Sequence, residues 1–410
     1  MPSVIPFFEK AEHRLSILRQ KYGTRPRLAA FKLGIWAISK ALHGFVLSDV
    51  VYTTRRTGTE GPIKLAVMLR GGIGDEVMSL AYVYELIRFS GVCCMVDIYS
   101  SCSVAALEAI CHKQDFIVSI RSIKAPCNLE EYDAALDILR HAQVKALCKP
   151  RLERVAPALA AYLDRLVAFQ SAHKSWYTDE NQAMGIHYSD VRGTFRRGQA
   201  DFDSSLGLKD SQFTLNCKWS FEDIAQKFGL ESGYITLQRE AGANPKSTKL
   251  WAAKNYTELL RQLVRRFPAR QLVLIGVEKN FIIPEECTDK ILDLRGKTDF
   301  GEFMAIVKYA RLHIGCEGIV PHLRHYLHGG PAVILFGPSA ASMLNYPENI
   351  ACSGKECSSG CEGILISWQD ECLKGYDYCH SIAEIRVEDV MNKVAKVLKT
   401  FYRFDNAEHG

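Results

Sequence analysis

Apolar residues along this chain fall into short unbroken runs that alternate with stretches of helical spacing. Leu65-Ala66-Val67-Met68-Leu69 is one such run, and Glu76-Val77-Met78-Ser79-Leu80-Ala81-Tyr82-Val83 after it has helical spacing. A short apolar run ending in turn residues reads as a buried strand, and repeats of three and four residues read as a helix face. On this basis strands are predicted at 64–70, 94–100, 116–121 and 134–139, and helices at 76–90, 103–112 and 153–169. The rhythm lapses over 172–215, a polar and glycine-containing stretch read as irregular structure leading to a domain boundary. It resumes at Tyr234-Ile235-Thr236-Leu237, with strands at 271–276, 291–295, 312–316 and 332–337 and helices at 255–267, 299–310 and 320–328. A last helix, about 386–401, carries Val387, Val390, Met391, Val394 and Val397 at helical spacing. Strand–helix alternation of this kind implies parallel sheets with helices on both faces.

Two such blocks in 410 residues give two doubly wound α/β domains facing a cleft. The expected boundaries are 61–215, then 216–385 including a cysteine-rich stretch at 352–379, and a C-terminal helix in 386–410. Residues 1–60 read as a basic helical extension, with Lys10, Arg14, Arg19, Lys21, Arg25, Arg27, Lys32 and Lys40. Its apolar stretch, Ala29 to Leu47, is interrupted by Lys32, Lys40 and His43. A spanning helix needs about 20 mostly apolar residues, so these charges argue against one. A helix lying on a membrane surface and a helix packed on the protein's own core both remain open.

Composition narrows the function classes. Hydrophobic residues are 48% and charged residues 24%, as in ordinary globular proteins. The net charge of +5 is too modest to point to nucleic acid and is compatible with anionic ligands or an anionic membrane surface. The opening residues lack the ordered charged, apolar and small-residue regions of a secretory signal. Fourteen cysteines without such a signal are expected to be free, metal-bound or reactive thiols in a reducing compartment. The expected location is cytoplasmic, including the peripheral cytoplasmic face of the membrane.

The candidate chemistry lies where strands break into helices. Arg70-Gly71-Gly72-Ile73-Gly74-Asp75 ends the first strand of the first block. In open α/β sheets the ends of the strands are where ligands bind. Asp75 opens a helix, where the unpaired N–H groups favour a carboxylate; simple helix capping competes with a catalytic role. In the second block the loop Gly242-Ala243-Asn244-Pro245-Lys246-Ser247-Thr248-Lys249 follows a strand. Lysine can steady phosphate there and the hydroxyls of Ser247 and Thr248 can add donors, although a solvated loop lysine is the ordinary fate. Glu317-Gly318 opens a helix after strand 312–316, and N–H groups at a helix start bind anions. No Asp-x-Asp pair ends a strand, so divalent-metal-dependent sugar transfer is not supported.

Four passages taken together resemble the heptosyltransferase-like glycosyltransferases, glycosyltransferase family 9. They are Gly72-Ile73-Gly74-Asp75; Lys249-Leu250-Trp251; Leu294-Arg295-Gly296-Lys297-Thr298; and Gly315-Cys316-Glu317-Gly318-Ile319-Val320-Pro321-His322 with Ala332-Val333-Ile334-Leu335-Phe336-Gly337-Pro338-Ser339. The likeness spans roughly 62–400. Ala81 stands where the family usually has proline, Glu317 where it has aspartate, and the glycine after that acid is displaced to Gly318.

The resemblance implies the GT-B architecture: an N-terminal, acceptor-binding Rossmann-like domain and a C-terminal, nucleotide-sugar-binding one. It implies an inverting transfer, without a catalytic metal, from a nucleotide sugar such as ADP-heptose to a hydroxyl on a glycan, a lipid core or a protein. Asp75 would be the base and Lys249 the stabiliser of the departing diphosphate. Gly72, Gly74, Ser247, Thr248, Glu278, Glu317, Gly318 and His322 would bind substrate, with Glu278 near the nucleoside. Another donor sugar, or an inactive nucleotide-binding or scaffold homologue, remains open, as do an oligomer and peripheral contact with the inner membrane.

Cys357-x3-Cys361-x10-Cys372-x6-Cys379 is a second feature. Thiolates at this density suit a tetrahedral structural Zn or Fe site, although the spacing is not that of a zinc finger, and free or redox-paired thiols remain open. The autotransporter heptosyltransferases, a related branch, carry a comparable iron-binding cluster.

Overall fold

The computed structural model describes residues 50–54, 56, 58, 60–138, 142–172, 211–240, 247–277, 281–339, 341–355, 357, 376 and 378–405. Most of the basic extension, Lys246, Glu278, Cys361 and Cys372 therefore lie outside the described residues.

The described residues build two six-stranded sheets. The first contains β1 (Val51–Tyr52), β2 (Ile63–Leu69), β3 (Cys94–Ser100), β4 (Ile117–Ser122), β5 (Ala134–Ile138) and β6 (Ala142–Leu147), in the order β1-β6-β5-β2-β3-β4. Helices α1 (Ile73–Ser90), α2 (Val104–Ile110), α3 (Lys149–Val155) and α4 (Pro157–Ala172) accompany it. The second contains β7 (Ile235–Gln238), β8 (Leu272–Leu274), β9 (Ile291–Asp293), β10 (Leu312–Cys316), β11 (Ala332–Leu335) and β12 (Ile350–Cys352), in the order β12-β11-β10-β7-β8-β9. Its helices are α5 (Phe221–Phe228), α6 (Ala253–Arg266), α7 (Phe300–Tyr309), α8 (Ile319–Tyr326), α9 (Ala341–Leu344), α10 (His380–Ala383) and α11 (Val387–Asp405).

The unbroken apolar runs follow from this layering, because a parallel strand is covered on both faces. Along β10 and β11, Ile314 and Val333 pack towards α6 and α11, whereas Ile334 packs with α7 and α8. The sheets are parallel, as the alternation predicts, with one antiparallel pair, β5 with β6. Antiparallel neighbours need no crossover helix, and β6 begins within four positions of the end of β5.

One apolar cluster runs from the first sheet into the second lobe, joining Leu80, Val83 and Leu86 of α1 to Met304, Val320 and Leu323. Helix α1 packs against α8, and α2 against α7. Phe213 lies between Tyr84 and Tyr326, with ring centroids at 5.5 and 5.4 Å. The Leu215 N–H donates to the Tyr326 carbonyl at 2.7 Å, so the connection entering the second lobe is bonded to α8.

Candidate active site

Strand order locates the ligand edge of each lobe. In the second sheet the chain starts at β7, runs outward through β8 and β9, then returns to β10 on the other side. Ligands of open α/β sheets sit outside the strand ends at such a reversal. Arg239 and Glu240 leave β7 there, Glu317 and Gly318 leave β10, and a 3₁₀ turn, Ser247–Lys249, follows β7.

Lys249, Glu317 and Ser339 converge at this edge. The Lys249 ammonium donates to Glu317 Oε2, and Ser339 Oγ donates to the same oxygen at 3.0 Å. Glu317 is only 4% exposed, so its carboxylate depends on these partners to offset lost hydration. Gly318 caps α8, an eight-residue helix whose first N–H groups point out of this edge. Gly337 lacks a side chain where one would collide with the Thr248 carbonyl, 2.6 Å from an ideal Cβ. That close approach lets the Lys249 turn rest on the end of β11. Trp251 is fully buried and donates from Nε1 to the Ile385 carbonyl at 2.9 Å, so it anchors the turn rather than facing ligand. Burial, with Glu317 alongside, pushes the Cys316 thiol up to about 12, which leaves it protonated and unreactive.

Glu240 is a residue the sequence pattern did not single out. It is buried and accepts the Val277 N–H at 2.7 Å, tying the end of β7 to the turn after β8. Gly276 adopts φ +105°, and an ideal Cβ there would meet the Glu240 carboxylate. The nearby glycine after a strand was the available signal.

In the first lobe, β2 ends at the corresponding reversal beside β5. Arg70 Nε donates to both Asp137 oxygens, at 2.7 and 3.0 Å, joining the two strand ends. Helix α1 starts three residues earlier than the pattern predicts: Gly72 is its N-cap and Asp75 occupies the third helical position. Asp75 is therefore not the cap itself. Its Oδ2 accepts the Gly72 N–H at 3.0 Å, so the carboxylate curls back over the turn. Gly71, at φ +100°, allows this, because an ideal Cβ would lie 2.9 Å from that oxygen.

Glu76, next in sequence, is fully buried and was also missed. It accepts from Ser100 Oγ at 2.7 Å, Ser101 N at 3.1 Å and Ser101 Oγ at 3.0 Å. Ser101 Oγ also reaches the Gly71 carbonyl at 3.3 Å, which buckles the β2–α1 turn to the end of β3. Burial raises the Glu76 pKa above its ordinary value, against the lowering effect of these hydrogen bonds.

The two edges meet at Gly74. An ideal Cβ on Gly74 would lie 3.1 Å from His322 Cδ2, 3.5 Å from Ile319 Cα and 3.7 Å from His322 Nε2. A side chain here would press on the His322 ring, so glycine eases the close approach of α1 and α8. His322 is 2% exposed, and its Nδ1 lies 2.8 Å from the Tyr346 hydroxyl. The structure thus brings Asp75, Gly72 and Gly74 to one lip and Lys249, Thr248, Glu317 and Gly318 to the other. His322 stands at the seam.

Of the cysteine cluster, Cys357 is buried and Cys379 half-buried beside Gly337, at 3.7 Å from its ideal Cβ. Among the described residues no group of three or more His, Cys, Asp or Glu is arranged to hold a metal.

Comparison with known proteins gives the fold a context. Residues 196–357 match the family model "Glycosyltransferase family 9 (heptosyltransferase)". No curated protein sequence matches the chain. Among solved structures, E. coli ADP-heptose LPS heptosyltransferase II is 15% identical with TM-score 0.52, over 83% of this chain and 100% of that one. The iron-containing dodecameric glycosyltransferase TibC from enterotoxigenic E. coli H10407 is 13% identical with TM-score 0.54, over 83% and 78%. A family 9 glycosyltransferase from Veillonella parvula DSM 2008 is 14% identical with TM-score 0.51, over 83% and 99%. The fold is that of the GT-B glycosyltransferases.

Proposed function

We propose that this chain, with a GT-B fold and a family 9 match over 196–357, is an inverting glycosyltransferase that uses a nucleotide sugar. The donor binds the second lobe at the β7/β10 edge, and the acceptor binds the first lobe beside Asp75. The observation that carries this reading is the Gly74–His322 seam, where the start of α1, with Asp75, meets the start of α8, beside the Lys249–Glu317 pair.

Asp75 removes the proton from the acceptor hydroxyl as its oxygen attacks the anomeric carbon. The bond from that carbon to the diphosphate oxygen breaks on the opposite face, so the new glycosidic bond has inverted configuration. The departing nucleoside diphosphate carries the electron pair away. Lys249 and the first N–H groups of α8 meet the charge that develops on it. At rest Glu317 occupies Lys249, so a diphosphate must share or displace that pair; the freed carboxylate is placed to accept hydroxyls of the donor sugar. Glu278 is proposed for the nucleoside by family likeness alone.

ADP-heptose is the proposed donor. It is supported by the complex of TibC with ADP-D-beta-D-heptose, a structure 12% identical to this chain with TM-score 0.55 over 86% of it. The acceptor is a hydroxyl on a glycan, a lipid core or a protein. A cytoplasmic location, peripheral membrane contact and an oligomer belong to the same proposal. Among the described residues no helix is long and apolar enough to cross a membrane.

A thermal-shift panel of ADP-heptose and other ADP-, GDP-, UDP- and CDP-sugars tests the donor. A ligand at 100 times its Kd stabilises the folded state by about 2.7 kcal/mol. ADP-heptose is expected to raise the melting temperature most. A shift confined to another nucleotide would replace the donor, and no shift with any would remove the nucleotide-sugar reading. Metal analysis of the same preparation tests a structural Zn or Fe held by Cys357, Cys361, Cys372 and Cys379. About one equivalent is expected, and under roughly a tenth would reject it.

A further inference from the structure

His322 and Tyr346 form a fixed arrangement where the two lobes meet. Tyr346 is 2% exposed. Its ring stacks on His325 at 3.9 Å with planes 17° apart, and His325 Nδ1 lies 2.8 Å from the Glu348 carboxylate. His322 meets the same phenol edge-on, centroids 5.6 Å apart and planes at 82°. The stacking fixes the phenol plane, so its hydroxyl is aimed at His322 Nδ1, 2.8 Å away. Both rings are buried, so neither can turn without opening a gap.

A phenol is the stronger acid of the two neutral groups and a bare imidazole nitrogen the stronger acceptor. The Tyr346 hydroxyl therefore donates and Nδ1 accepts. In neutral imidazole the remaining nitrogen then carries the proton. That nitrogen, Nε2, lies on the ring edge turned to Gly74, one residue before Asp75 and across the lobe boundary. We propose that Tyr346 is a positioning residue that holds His322 as the Nε2–H tautomer, and that His322 presents this N–H to an acceptor oxygen at the Asp75 lip rather than to the donor sugar. The second half rests on the transfer reading above. The first half stands without it.

The tautomer is read directly by ¹⁵N NMR on histidine-labelled protein, with His322→Gln assigning the signal. The expected result is a protonated Nε2 and a bare Nδ1 in the wild type, and exchange between tautomers in Tyr346→Phe. A protonated Nδ1 in the wild type would overturn the assignment. Kinetics test the role. Tyr346→Phe keeps the stack and loses one neutral hydrogen bond, so kcat/KM for acceptor should fall about fivefold. His322→Gln can offer an amide N–H from a similar reach and should retain more activity than His322→Ala. In all three the donor Kd should hold. A raised donor Kd with unchanged acceptor dependence would return His322 to the donor sugar. If transfer is absent from the wild type with every donor, the transfer reading fails while the tautomer result still stands.

Discussion

Two adjacent carboxylates, Asp75 and Glu76, are assigned opposite duties by their surroundings. Asp75 sits half-buried at the lip, and Glu76 faces inward and is fully buried. A carboxyl whose folded pKa is raised contributes stability that is complete below the unfolded value and is lost as pH rises through the folded one. For Glu76 the loss begins near pH 4.5 and continues upward. Glu76→Gln keeps an acceptor oxygen for Ser101 and cannot ionise. Its stability relative to wild type should therefore improve from pH 4 to pH 8, as followed by urea midpoints. A difference that is flat or falls with pH would mean the buried carboxylate carries no such penalty. The positions of Asp75 and Glu317 just past strand ends, and of Lys249 in the loop after β7, were legible in the sequence. Glu76, Glu240 and Tyr346 were not, because their partners lie more than 20 positions away, at Ser100, Val277 and His322.

Elements were legible where the apolar run was pure. The strands at 94–100 and 312–316 coincide with the predicted ranges because nothing polar breaks the pattern decisively. β6, Ala-Gln-Val-Lys-Ala-Leu, mixes in a glutamine and a lysine and was missed. α5 was missed although Ser220 and Asp223 form a reciprocal cap and Gly229 ends it in the left-handed region, since its eight residues are short for a periodicity signal. Burial also hides the role of Arg324. Its guanidinium donates to the carbonyls of Gly330 at 2.8 Å, Val307 at 2.5 Å, Ala310 at 3.0 Å and Pro331 at 3.2 Å. It thus closes the C-terminal end of α7 against the entry to β11. Burial brings its pKa down to about 10, still charged at neutral pH. Arg324→Met should destabilise the protein by at least about 3 kcal/mol, because several buried carbonyls lose partners at about 1–3 kcal/mol each. A change under about 1 kcal/mol in denaturant unfolding would mean water replaces the guanidinium.

For the whole molecule, the helix faces that cover the two sheets also join the lobes, through one apolar cluster shared by α1, α7 and α8. The two strand-end edges are thereby set against each other by core packing, and Gly74 meets His322 where α1 approaches α8. Sequence pattern carries the existence of two sheets, because apolar runs record burial on both faces. It does not carry their meeting, which depends on which helix of each lobe faces the other. In the proposed transfer Asp75 takes the acceptor's proton across this seam. Asp75→Asn keeps an oxygen to accept the Gly72 N–H and removes the base, so transfer and donor affinity are to be measured on the same preparation. Transfer is expected to fall about 10²- to 10⁴-fold with donor Kd unchanged, and turnover at the wild-type rate would show that Asp75 is not the base.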